Sequence, residues 1–344
     1  MTHPGRDIVV VGASAGGVEA LRRLISSLPA AFKASVFIVL HTRPDTKSYL
    51  VDILARSCRL PVTNPENGER IEKGRIYVAP ADLHMLVEGD HITLVRGPTE
   101  NRTRPAINPL FRSAAASYGS RVVGVILTGT LDDGTAGLWA VKQCGGIAVV
   151  QDPADAAFDE MPKNALQEVK VDYCVPLAEI PNVLLSLTEE PFVSESEKPI
   201  PSVIRLSNDA AKMKIIGMEV DKFGERSALT CPECNGALWQ FNEAGLLEYR
   251  CHVGHAYSAE HLKIAQNRAV EQALWSAFRA LNESAGFDER LAERAKEQRL
   301  EVAEAVHLRN ADEKKHQAEQ VRGFLMAMRP AGYDSNNASI PSER

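Results

Sequence analysis

The sequence predicts an α/β protein built on a doubly wound, mostly parallel sheet, and three observations carry that prediction. Short β-branched runs alternate with helical patterns through residues 7–190. The strand-like runs, such as Val36-Phe37-Ile38-Val39-Leu40 and Val122-Val123-Gly124-Val125-Ile126-Leu127, are apolar throughout, as strands covered on both faces must be. The first run, Ile8-Val9-Val10-Val11, passes through a Gly-rich turn straight into a helical pattern, the unit from which such sheets are wound.

In chain order, the strand at 36–40 ends at His41, and 47–55 reads as a helix. A short strand follows at 75–79, and the runs at 83–87 and 91–95 flank Glu88-Gly89-Asp90 as a hairpin. A helix over 109–118 precedes the buried strand 122–127 and the turn Thr128-Gly129-Thr130-Leu131-Asp132-Asp133-Gly134. A helix at 135–143, a strand at 147–150 ending at Gln151-Asp152-Pro153, and a last strand at 171–175 complete the alternation.

Composition sets outer bounds. A chain of 344 residues predicts two or three folded units. With 44% hydrophobic and 24% charged residues it reads as ordinary globular protein. A net charge of −6 gives no support for a nucleic-acid partner. Met1 to Asp7 leads directly into a strand, so no secretory signal is expected, and no apolar run is long enough to span a bilayer. The expectation is therefore a cytoplasmic protein without membrane insertion.

The Gly-rich turn narrows the chemistry. Gly12-Ala13-Ser14-Ala15-Gly16-Gly17 lacks the second glycine of a dinucleotide fingerprint and the lysine of a phosphate-binding loop. It fits G-x-S-x-G, in which the serine is a nucleophile raised on a strand-to-helix turn. Ser14, His41 and Asp133 each follow a predicted strand, and in an open α/β sheet the ligand crevice lies outside the strands' carboxyl ends. Three residues distant in sequence then share one cleft, with Ser14 as nucleophile, neutral His41 as its base and Asp133 orienting the imidazole. Position alone leaves His84 as a rival base and Asp132 or Asp152 as rival acids. The N–H groups of Ala15, Gly16 and Gly17 are candidate oxyanion donors.

Residues 7–190 resemble the catalytic domain of the chemoreceptor protein-glutamate methylesterases, the CheB family. The segments that carry the resemblance are Val11-Gly12-Ala13-Ser14-Ala15-Gly16-Gly17, Val39-Leu40-His41, Gly74-Arg75-Ile76-Tyr77-Val78-Ala79-Pro80 with His84-Met85, Arg104-Pro105-Ala106-Ile107-Asn108-Pro109-Leu110-Phe111-Arg112-Ser113, Leu127-Thr128-Gly129 with Asp133-Gly134, and Gln151-Asp152-Pro153 with Met161-Pro162. The resemblance implies Ser14 as nucleophile, His41 as base and Asp133 as its partner. It implies hydrolysis of glutamate methyl esters on chemoreceptor cytoplasmic regions, an activity to which some members of the family add deamidation of receptor glutamines. Three local departures stand out. Ala15 replaces a hydroxyl residue, His41-Thr42-Arg43-Pro44 replaces His-Met-Pro, and Asp132-Asp133 replaces Asn-Asp. A phosphorylated receiver domain precedes the esterase in typical members, whereas this esterase pattern starts at residue 7, so a stand-alone enzyme is expected.

Beyond the esterase region (1–190) a linker is expected over 191–225, rich in Glu, Ser and Pro. Residues 226–258 read as a small zinc-ribbon-like module. Cys231-Pro232-Glu233-Cys234 and Cys251-His252-Val253-Gly254-His255 offer a C-x-x-C pair and a C-x-x-x-H pair, so Cys231, Cys234, Cys251 and His255 are candidate ligands of a structural zinc. His255 is preferred to His252, because adjacent residues rarely both face one ion. No cofactor is expected for catalysis. Similar ribbon modules follow the esterase in some members of the resembled family. Residues 259–330 read as a helical hairpin or coiled region broken at Ser284-Ala285-Gly286, and 331–344 as a disordered tail. The helices suit partner docking or homo-oligomer formation. Docking predicts that a fragment of residues 1–190 keeps its activity on a small ester. The competing reading of the whole chain is a non-catalytic scaffold that binds receptor tails or a signalling partner.

Overall fold

The computed structural model describes residues 2–3, 5–41, 49–193, 199–214, 220–243 and 246–328. In chain order the elements begin with β1 (Thr2–His3), β2 (Ile8–Ala13), α1 (Gly17–Ser26), β3 (Ser35–Leu40), α2 (Leu50–Ala55), β4 (Val62–Thr63) and β5 (Ile76–Val78). The hairpin β6 (His84–Glu88) and β7 (His91–Val95) precedes α3 (Ile107–Tyr118), β8 (Val122–Ile126), α4 (Thr135–Gln143), β9 (Ile147–Gln151), α5 (Glu160–Glu168), β10 (Tyr173–Val175) and α6 (Ile180–Glu189). Then come β11 (Phe192–Val193), α7 (Ser202–Ala211), β12 (Glu225–Thr230), β13 (Ala237–Glu243), β14 (Leu246–Cys251), β15 (Ala256–Ser258), α8 (Ala259–Glu297) and α9 (Glu301–Ala327).

Seven strands form one sheet in the order β10-β9-β8-β2-β3-β5-β4, and every pairing in it is parallel. β2 sits at the centre, and the chain leaves it first towards β3 and later returns on the other side as β8. That reversal opens a crevice at the carboxyl ends of β2, β3 and β8. Successive side chains of β2 face opposite ways. Val9, Val11 and Ala13 pack with Leu21 and Leu24 of α1, Leu54 of α2 and Leu184 of α6. Ile8 and Val10 pack with Phe111 of α3, Leu138 of α4 and Met161 of α5. The doubly wound, mostly parallel fold expected from the sequence is the fold observed.

The chain divides into two compact units, Met1–Leu262 and Lys263–Arg344. The first holds the parallel sheet and also the four-stranded antiparallel sheet β12-β13-β14-β15. Within the stretch read as a linker over 191–225, residues 202–211 form helix α7, with Ile204, Leu206, Ala210 and Ala211 buried. The sign of it was the apolar spacing Ile204, Leu206 and Ala210-Ala211 after Pro201-Ser202, a helix start masked by the surrounding Ser and Pro. Residues 194–198 lie outside the described residues.

In the second unit, the break expected at Ser284-Ala285-Gly286 is absent, and α8 runs through it to Glu297. One exposed-helix glycine costs only about 1 kcal/mol, and Ala285 beside it is buried. The chain turns instead at Arg299, in the left-handed region at φ 57°. Asp288 of α8 pairs with His307 and Lys314 of α9, and Glu289 pairs with Lys315. Alanines 285, 292, 295, 311 and 318 are buried, whereas Val270 of α8 and Val302 of α9 are exposed. The helix expected at 47–55 is observed as Leu50–Ala55, and residues 47–48 and the tail 331–344 lie outside the described residues.

Candidate active site

Three strand ends meet at the crevice. Ser14 follows β2, and its N–H donates to the Thr128 carbonyl just beyond β8, at 3.0 Å. The turn carries Gly16 at φ 74°, a conformation that suits glycine, and a Cβ there would come within 3.1–3.3 Å of Ala157, Thr128 and Phe158. Gly129 is more confined, since a Cβ would lie 2.0 Å from Met161 Sδ and 2.9 Å from Ser14 Cβ. The Thr128 hydroxyl donates to the Ala15 carbonyl at 3.0 Å and accepts from Phe158 N–H at 2.8 Å, and Gln151 Oε1 accepts the Thr128 N–H at 2.9 Å. Thr128 and Gln151 thus fix the serine turn.

His41, at the end of β3, stands between the other two residues. Its Nδ1 lies 3.1 Å from Ser14 Oγ, and its Nε2 lies 2.7 Å from Asp133 Oδ2. A carboxylate can only accept, so the neutral imidazole carries its proton on Nε2 and presents a lone pair on Nδ1 to the serine hydroxyl. Asp133 is buried, and Oδ2 also accepts the Ile107 N–H at the start of α3, at 2.7 Å. Burial pushes its carboxyl up, but the hydrogen bond and charge of His41, with the Ile107 N–H, outweigh it and hold Asp133 below the usual carboxylate range.

The rivals left open by position take other duties. His84 is buried, accepts the Ala106 N–H on Nδ1 and donates from Nε2 to the Pro98 carbonyl. Burial lowers its pKa and keeps it neutral. Asp132 pairs with His261 and accepts from the Ser258 hydroxyl. Asp152 accepts the Ala154 N–H within its own turn. Of the three candidate oxyanion donors, the Gly17 N–H is engaged by the Ser14 carbonyl at 2.9 Å, because α1 starts there. Among the described residues, the N–H groups of Ala15 and Gly16 have no hydrogen-bond partner.

One residue next to the acid has no signal in the sequence pattern. Asn101 donates from Nδ2 to Asp133 Oδ1 at 3.2 Å, and it sits at φ 50° in the loop before α3. Its N–H donates to the Ala256 carbonyl at 2.8 Å, and its Oδ1 accepts the Ser258 N–H at 3.0 Å. Strand β15 therefore holds both ends of the residue that holds the acid. Nearby, Glu100 is buried between Arg112 of α3, at 2.5 Å, and Arg250 of β14, at 3.7 Å. Glu248 lies 3.5 Å from Arg250 and balances the second positive charge.

In the same antiparallel sheet the side chains of Cys231, Cys234, Cys251 and His255 converge, with all four ligand atoms within 4.8 Å of one another. The His252 ring is stacked on Trp239 instead, with centroids 3.9 Å apart.

A parallel sheet with polar side chains gathered beyond the carboxyl ends of its central strands defines an α/β enzyme of the doubly wound class. The family model for the CheB methylesterase matches residues 9–184. The crystal structure of the Thermotoga maritima CheB methylesterase catalytic domain superimposes with a TM-score of 0.52 at 34% identity, over 53% of this chain and 98% of that one. A Pyrococcus horikoshii protein-glutamate methylesterase/protein-glutamine glutaminase is 35% identical over 190 residues, which are 54% of this chain and 52% of the relative. A Leptospira interrogans protein named for the same two activities is 36% identical over 184 residues, 53% of this chain and 95% of the relative. The chain thus spans about half the length of the Pyrococcus relative and nearly all of the Leptospira one. It belongs to the CheB methylesterase family. Among the described residues, no helix is long and apolar enough to cross a membrane.

Proposed function

We propose that this chain is a protein-glutamate methylesterase that works as a serine hydrolase, with Ser14 as nucleophile, His41 as general base and acid, and Asp133 as the orienting carboxylate. The observation that carries the reading is the unbroken line from Ser14 Oγ through both His41 nitrogens to Asp133. Ser14 attacks the ester carbonyl while Nδ1 takes its proton. The imidazolium, stabilised by Asp133, then protonates the departing methanol. Water, deprotonated by the same nitrogen, hydrolyses the acyl-enzyme. The N–H groups of Ala15 and Gly16, at the start of α1 and without a partner among the described residues, are the donors available to the tetrahedral oxyanion. A glutamine side chain in the same position would lose ammonia, which accounts for the paired activities named for the relatives.

The substrate class is a methylated chemoreceptor cytoplasmic region or a similar signalling protein, and the site of action is the cytoplasm. The deciding experiment is methanol release from methylated receptor by the wild type and by folded Ser14→Ala. Loss of turnover by about 10⁴-fold or more is expected from removal of a triad member. Turnover near the wild-type rate in Ser14→Ala would sink the mechanism, and no turnover in the wild type would return the chain to a binding role.

A further inference from the structure

We propose that Cys231, Cys234, Cys251 and His255 hold one zinc ion, and that the ion clamps the antiparallel module onto the acid side of the catalytic constellation through β15 and Asn101.

Three of the six distances between the four ligand atoms match the edges of a tetrahedral site, and all six lie within 4.8 Å. Zn–S bonds of about 2.3 Å and a Zn–N bond of about 2.0 Å give S···S edges of about 3.8 Å and S···N edges of about 3.5 Å. Cys234 and Cys251 are 3.6 Å apart at sulfur, and His255 Nδ1 is 3.7 Å from Cys231 Sγ and 3.5 Å from Cys251 Sγ. The backbone is folded into two matching loops. Cys231 N–H donates to the Gly236 carbonyl, and Cys251 N–H donates to the His255 carbonyl. The free nitrogen of His255 is backed by a carboxylate, since Nε2 lies 3.7 Å from Glu233 Oε2. A carboxylate behind a ligating imidazole fixes its tautomer and raises its basicity. Three protein thiolates and one imidazole leave no open position, so the ion is structural. Leu206 of α7 is buried with Trp239 and Phe241 of this sheet.

The metal loop runs directly into the contact with the esterase. His255 is followed by Ala256, Tyr257 and Ser258, the strand that holds Asn101 at its backbone and side chain. Glu233, inside the first ligand pair, also accepts the Thr99 hydroxyl at 2.7 Å and the Tyr257 hydroxyl at 2.7 Å. One carboxylate therefore touches the metal histidine, β15 and the loop that carries Asn101. Without the ion, the loop from Cys251 to His255 keeps its own hydrogen bonds and the Arg250 contact to the Gly254 carbonyl, and β15 keeps its pairing with β14 but is no longer fixed at its start by a ligand bond to His255. Asn101 then no longer holds Asp133 at one distance from His41.

The clamp rests on the reading of Ser14, His41 and Asp133 as the working groups, while the metal site does not. The experiment takes the full chain, purified without chelator, through metal analysis, thermal melting and steady-state kinetics on a small methyl ester. One zinc per chain is expected in the wild type and in Ser14→Ala, and none in Cys234→Ser. Stripping zinc from the wild type should lower the melting temperature and lower kcat about tenfold with KM little changed, as loss of a charge-assisted hydrogen bond predicts. Adding zinc back should restore both. A chain that holds no zinc and does not gain stability on its addition overturns the site. A Cys234–Cys251 disulfide in the protein as purified, before any stripping, does the same. A stripped protein that melts lower yet keeps its kcat overturns the clamp. A Ser14→Ala protein that binds zinc alongside an inactive but zinc-loaded wild type overturns the esterase reading instead.

Discussion

Asn101 and Asp133 form a pair in which the amide Nδ2 of one meets the carboxylate Oδ1 of the other at 3.2 Å, leaving Oδ2 free for His41 and the Ile107 N–H. Each carboxylate oxygen has its own donors, so the carboxyl plane cannot rotate without losing one of them. Asn101 is thus a positioning residue for the acid, and it is itself positioned by β15.

Asn101→Gly tolerates the positive φ and removes only the side chain. Hydrogen bonds to charged groups contribute about 1.5–3 kcal/mol, so kcat should fall roughly 10- to 100-fold, with KM for a small methyl ester nearly unchanged. Asn101→Asp adds a negative charge facing Asp133. On the proposed mechanism, which needs His41 neutral, it should move the acid limb of the kcat profile upward. Equal losses in kcat and KM, with an unmoved acid limb in Asn101→Asp, would reduce Asn101 to a structural residue.

The buried cluster Arg112, Glu100, Arg250 and Glu248 joins α3 to β14 with balanced charge. Glu100→Gln leaves two guanidinium groups facing one carboxylate in a buried site. Breaking a buried pair in this way costs about 3–5 kcal/mol, so a large fall in melting temperature is expected, measured by calorimetry. A melting temperature unchanged within a degree or two would show that water reaches the cluster.

Acid should weaken the fold through the same groups. Burial raises the Glu100 carboxyl, but Arg112 and Arg250 outweigh it and hold its pKa down, and Asp133 is also depressed. A carboxyl depressed in the folded state binds fewer protons there than in the unfolded chain, so its stabilisation is complete above the unfolded values of about 4 and is lost as pH falls through the folded ones. Urea unfolding at a series of pH values should show stability dropping below about pH 4. The drop should be shallower in Glu100→Gln.

Gly129→Ala tests the close packing against Ser14. The added methyl would overlap Met161 Sδ at 2.0 Å and press on Ser14 Cβ at 2.9 Å. Either Met161 swings out of α5 or the serine turn moves, and a displacement of about 1 Å from attack geometry costs on the order of 10²-fold. Wild-type kcat with an unchanged melting temperature would mean that Met161 gives way freely.

These sites divide by how much of them a sequence pattern can carry. That Ser14, His41 and Asp133 meet was legible because Ser14 and His41 stand directly after β2 and β3 and Asp133 closes the loop between β8 and α4, and the strand ends of a parallel sheet converge. Asn101 was not, because it lies in a loop without periodicity and acts through a residue brought near by folding. Gly17 looked like a free donor, but where α1 begins decides which N–H the Ser14 carbonyl takes. Helix α7 was hidden by linker-like neighbours. The break at Ser284-Ala285-Gly286 followed local propensity, which the packing of Ala285 overrode.

The place of the module bears on what a shortened chain should do. A freely tethered docking module predicts that residues 1–190 alone retain full activity on a small ester. The structure instead groups residues 1–262 as one compact unit. Removal of everything after residue 190 strips Arg250 from Glu100, Ala256 and Ser258 from Asn101, and the helix α7 that buries Ile204 with the α3 core. Arg112 and Glu100 would then face water, and Asp133 would keep a donor that nothing orients. The 1–190 fragment should melt lower than the full chain and hydrolyse the small ester more slowly, whereas 1–262, which retains each of these contacts, should match the full chain. Side-by-side melting and ester kinetics on the three proteins decide the matter. If 1–190 equals the full chain in both, the module is a tether after all. A 1–190 fragment several-fold faster would make it an inhibitor.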